Sequence, residues 1–95
     1  DAAFRKGCSL LQRGQFQAAS EQLSFALEVN PDDDSTRLHA AYAAFMSEPL
    51  AGGERSREAM AQLERVAKIA QDRPKDVNAQ LFHAKLLKLT LCDLA

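Results

Sequence analysis

Two cysteines and two histidines are the side chains of this chain with the readiest covalent chemistry. Cys8 taken with His39 or His83 would make a thiol nucleophile and a general base. A working pair also needs a third group to orient the base and a local sequence that activates the thiol, and neither accompanies these residues. Cys8 and Cys92 are too few and too far apart for a disulfide framework or a zinc site. Each sits among apolar residues at helical spacing, so both read as packing residues in a reducing compartment. The other concentration of ligating atoms is Asp32-Asp33-Asp34, which lacks the spaced oxygens and the glycine of a calcium loop. Its place just ahead of an apolar-periodic segment makes it a helix start, with capping oxygens and negative charge where unpaired N–H groups are exposed. The sequence therefore predicts no catalytic residue, no metal ligand and no cofactor.

The elements that position these residues are all helical. Phe4, Cys8 and Leu11 form one stripe, with Ala3, Gly7 and Leu10 beside it, and Arg13-Gly14 ends that helix as a C-terminal glycine does. Phe16, Ala19, Leu23, Ala26 and Leu27 follow at the spacing of a buried face and stop at Asn30-Pro31. A third helix carries Leu38, Ala41, Tyr42, Phe45 and Met46. The turn-rich "SEPLAGGERS" connects it to a fourth whose face is Ala59, Met60, Leu63, Val66, Ala67 and Ala70, with Glu64 and Lys68 paired one turn apart outside. A last segment puts Leu81, Ala84, Leu87 and Leu91 on one side and Phe82, Leu86 and Leu89 on another, and so requires more than one neighbour. Helices are predicted near 2–13, 16–29, 35–47, 55–71 and 77–91, as two antiparallel hairpins and one unpaired helix.

Ninety-five residues, 46% apolar and 26% charged, fit one small domain of ordinary globular composition. A net charge of -1 with both signs mixed gives no electrostatic footprint for nucleic acid. No apolar run approaches the roughly 18 residues of a membrane span, and no signal-peptide core opens the chain. A cytoplasmic location is expected. Because the sequence opens inside one predicted helix and ends inside another, it reads as part of a longer protein.

The chain repeats itself. Sliding "PDDDSTRLHAAYAAFM" onto "PKDVNAQLFHAKLLKL" aligns Pro31 with Pro74, Asp33 with Asp76, Leu38 with Leu81 and Ala41 with Ala84, an offset of 43 residues. With Gly7 inside the first helix and Phe16, Ala19, Leu23, Ala26 and Pro31 in order along the second, the chain resembles the tetratricopeptide repeat, a helix-turn-helix unit of about 34 residues. "FALEVNPDD" looks like that family's closing phrase. The resemblance is strongest over residues 2–33. It implies repeat one at 1–33, repeat two at 34–76 with a lengthened loop at 47–56, and the start of repeat three at 77–95. The terminal "LCDLA" then resembles the loop and opening of a further helix.

A fold of stacked helix hairpins in a short right-handed α-solenoid follows from the resemblance, and so does a role in holding other proteins. Small residues at Ala19 and Ala26 mark close helix crossings, and Pro31 and Pro74 end the second helix of each unit. The implied concave groove is lined by Phe4, Cys8 and Leu11, by His39, Ala43 and Met46, and by Phe82, Leu86 and Leu89. Such an apolar lining suits an amphipathic helix or apolar peptide of a protein partner. Relatives that grip the acidic tails of chaperones need Lys and Asn around the small residue of the first helix. Here "FRKGC" puts Phe4 and Cys8 in those places, so that subtype is not expected. The alternative to a binding module is a structural spacer, or a segment that self-associates through 78–94, where the last helix lacks a downstream partner.

Overall fold

The computed structural model describes residues 2–48 and 57–94, and the side chains of 2–48 and 57–90. Among the described residues the secondary structure is entirely helical: α1 (Ala2–Gln12), α2 (Phe16–Val29), α3 (Asp34–Ser47), α4 (Arg57–Asp72) and α5 (Val77–Leu94). These bounds follow the apolar periods closely. One expectation is overturned at the C-terminal end. "LCDL" is not a loop leading into another helix but the last turn of α5, because residues 89–94 contain no Gly, Pro or Asn to break it. The reading of 47–56 as a lengthened loop lies, beyond Glu48, outside the described residues.

Each helix packs on the next in chain order, and in addition α1 touches α3 and α3 touches α5. By contrast, no Cα of α2 comes within 8 Å of α4 among the described residues. The odd helices therefore form one closed layer and the even helices an open one. With α3 in the middle, Leu38, Ala41, Ala43 and Phe45 are buried, as are Thr36, His39 and Tyr42.

The connections show how the chain reverses. Gly14 adopts φ 77°, the left-handed region open to glycine. Gln15 N–H donates to the Leu10 carbonyl at 2.9 Å and Gly14 N–H to Leu11 at 3.0 Å, the paired bonds of a Schellman ending. The two proline turns match each other bond for bond at the 43-residue offset. Asn30 N–H donates to the Ala26 carbonyl (3.0 Å) and Arg73 N–H to Ile69 (2.9 Å). Across the turns themselves, Asp33 N–H donates to Asn30 (3.2 Å) and Asp76 N–H to Arg73 (3.0 Å). The internal repeat seen in the sequence is thus a repeat of backbone geometry.

Helix starts after these turns differ in their caps. The Asp76 carboxylate accepts the Ala79 N–H at 3.1 Å, an N-cap bond. The Asp33 carboxylate, in the same place ahead of α3, takes the buried Thr36 hydroxyl at 2.5 Å and forms no N-cap bond to the backbone. Arg73 ties the two starts together, reaching Asp34 at 3.2 Å and Asp76 at 3.5 Å. The pair expected between Glu64 and Lys68 does not form; Arg65 instead donates to Gln62 at 3.1 Å.

Small residues sit where helices cross closely. Ala19, Leu23 and Ala26 are fully buried on α2, and Gly7 on α1 faces Leu23. A Cβ on Gly7 would stand 2.5 Å from Leu23 Cγ, so only a glycine lets Leu23 fill the crossing.

Candidate functional site

The three helices of the closed layer carry the groove residues expected from the sequence, and a row of rings joins them. Phe4 of α1 meets His39 of α3 edge to face at 5.1 Å between centroids, and His39 meets Phe82 of α5 in the same way at 5.1 Å. Phe82 also stacks flat on Tyr42 at 4.2 Å, and Tyr42 meets Phe16 at 6.4 Å. Rings in these edge and offset arrangements attract through their quadrupoles, which fixes the three helices against one another.

The candidates separate by depth. Ala43 and Leu86 are fully buried and His39 nearly so. Phe4, Cys8, Leu11, Met46, Phe82 and Leu89 are half-buried. The family resemblance put all nine in one groove and left their depth open. The repeat-signature residues Gly7, Ala19, Leu23 and Ala26 are in the core, Phe16 is half-buried beside Tyr42, and Pro31 and Pro74 stand exposed at the turns.

His39 has the only ring nitrogens among these nine residues. A carbonyl can only accept, so its 2.7 Å contact with the Ser35 carbonyl fixes the hydrogen on Nδ1. Nε2 makes no hydrogen bond within the described residues. Burial pushes the Cys8 thiol up from its ordinary pKa, so it is protonated at neutral pH. No hydrogen bond links Cys8 to His39 or His83 among the described residues. Burial likewise pushes the Tyr42 hydroxyl up. Among the described residues no three of His, Cys, Asp and Glu come together as a metal site, and no helix is long and apolar enough to cross a membrane.

Two surfaces were missed by the sequence reading. A cleft of about 550 Å³ opens on the other layer, between α2 and α4 over the alanines of α3. Phe25 and Val29, one turn apart on α2, are 59% and 72% exposed. The 3.6-residue period identifies a buried face, but an open gap between two helices leaves no periodic signal.

No protein-family model matches this chain, nor does a curated protein or a solved structure.

Proposed function

We propose that the chain is a protein-interaction module built like tetratricopeptide repeats, holding a peptide or amphipathic helix of a partner across the face of α1, α3 and α5. The observation that carries this reading is the ring row Phe4–His39–Phe82, which ties three successive odd helices together edge to face. Half-buried apolar side chains around such a row give a partner contact area, while the packed row lowers the ordering cost of binding. Resemblance in residues 2–33 and the matched proline turns support the repeat assignment.

The test is selection from a displayed random-peptide library followed by NMR mapping. Enriched peptides should carry apolar residues at helical spacing and shift amides along α1, α3 and α5. Met46→Gln and Leu89→Lys should weaken them at least tenfold; because both side chains also pack against the core, binding is compared under conditions where amide dispersion shows each variant folded. An absence of enrichment, or mapping to another face, rejects the reading.

A second reading, self-association through α5, is favoured by one observation. Leu81 and Leu87 are 46% and 42% exposed and Ala84 is exposed beside them, whereas the matching Leu38 and Ala41 of α3 are buried beside α4. Sedimentation at several concentrations decides it: a sedimentation coefficient that does not rise with concentration excludes a dimer.

A further inference from the structure

The cleft between α2 and α4 lies on the layer opposite the ring row and goes beyond the proposed function. Its floor is Ala40, Ala41 and Ala44 of α3. One wall is Ser20, Ser24 and Leu27 of α2, and the other is Gln62, Arg65, Lys68 and Ile69 of α4. Its length follows from the helix rise: Ser20 to Pro31 spans about 16 Å, which an extended chain covers in about five residues.

Two features make this more than a gap left by packing. At the 43-residue offset Ala40 and Ala44 correspond to His83 and Leu87, so the repeat unit carries large side chains at these positions elsewhere, and their smallness in α3 holds the cleft open. The charges are also uneven along it. At the Pro31 end Asp34 is held by Arg73 at 3.2 Å and by Arg37 at 3.9 Å, and Asp72 stands nearby on α4. Toward the Ser20 end, Arg65 and Lys68 have no ion-pair partner among the described residues, and both are exposed.

We infer that this cleft binds a short extended acidic peptide of a partner protein. Small or apolar residues of the peptide lie over Ala40 and Ala44, and its carboxylates lie beside Arg65 and Lys68. The alanine floor lets a peptide backbone approach α3 closely, much as Gly7 lets Leu23 approach α1. Leu27 and Ile69 close the sides with apolar surface, while the Ser20 hydroxyl and the Gln62 amide N–H groups are donors for its carbonyls. Charge complementarity selects acidic over basic partners, and the preference weakens with salt.

The probe is an acetylated, amidated nonapeptide alternating Glu with Ala and Leu, titrated to millimolar concentration against the whole chain and followed by NMR. Its counterpart carries Lys in place of Glu. Expected are shifts confined to residues 20–27, 37–44 and 62–69 with the acidic peptide and at least fivefold weaker binding of the basic one. R65E/K68E should remove the preference through charge alone. A40H/A44L, which installs the residues found at the matching positions of α5, should block the cleft. Unchanged far-UV circular dichroism and amide dispersion show that both variants remain folded; should A40H/A44L not be, R65E/K68E carries the test. The inference is overturned by equal binding of the two peptides, by an undiminished acidic preference in R65E/K68E, by shifts along α1, α3 and α5 instead, or by no shifts at all. Only shifts on the odd-helix face would support the proposed function, so the two readings fail separately.

Discussion

The turn and helix at 31–47 and those at 74–90 begin alike and end differently. Both leave a proline turn with the same backbone bonds, and both bury the same inward positions: Thr36 and Ala79, Ala43 and Leu86. On the other side they diverge. Leu38, Ala41 and Phe45 are core residues of α3, while Leu81, Ala84 and Lys88 at the matching places on α5 are exposed. The residues have followed the environment only in part: Tyr42 and Phe45 correspond to Lys85 and Lys88, but Leu81 and Leu87 remain apolar. A repeat fixes which positions face its own hairpin, and the neighbour decides whether the remaining positions are core or surface.

The largest expected effect tests that division. Phe45→Ala empties a fully buried site and should cost about 3–5 kcal/mol, whereas Leu81→Ala, at an exposed position, should cost about 0.5 kcal/mol or less. Urea midpoints measure both. Equal losses would mean that α5 is covered in solution and that the contrast between the two units is not real.

Next in size are the close crossings of the first hairpin, which the second unit makes differently. Ala19→Leu and Ala26→Leu should each cost about 1–3 kcal/mol by overpacking, against a change within about 0.5 kcal/mol for Gln17→Leu on the exposed face. Gly7→Ala should also destabilise, although alanine is the better helix former by about 1 kcal/mol, because its Cβ would meet Leu23. If all four variants unfold together, the small residues are not contact points.

Smallest, and the sharpest probe of the two turns, are the caps. Asp76→Ala removes an N-cap bond and should cost about 1 kcal/mol at neutral pH. Asp33→Ala removes the bond from Thr36 instead. That bond holds the Asp33 carboxyl below its ordinary pKa in the folded chain. A depressed folded pKa means that the stabilisation is fully present above the unfolded value, about pH 3.9, and is lost as pH falls through the folded one. The difference in denaturation midpoint between the wild-type chain and Asp33→Ala should therefore shrink on acidification. A difference independent of pH would show that the Thr36 bond does not depend on the ionised carboxylate.

Much of this architecture is written locally. Helix existence follows from apolar spacing, the reversal between α1 and α2 from Gly14, and those into α3 and α5 from Pro31 and Pro74, because propensity, left-handed φ and a missing N–H act within a few residues. The small residues at 19 and 26 on α2 announced close crossings in the same way, through their place on the buried face of that helix. Other features depend on what lies across a helix. The family resemblance put Phe4, His39 and Phe82 in one groove, but their ring row and the depth of Ala43 and Leu86 come from α1 and α5 closing on α3. The alanines at 40 and 44 looked like ordinary helix formers. They became a cleft floor only because α2 and α4 stand apart, a separation set by the packing of whole helices and carried by no single residue. The sequence by itself determined where each helix runs and which of its stripes are apolar, since those are local backbone and side-chain choices; tertiary structure alone decided which of those stripes are covered, because burial belongs to pairs of surfaces.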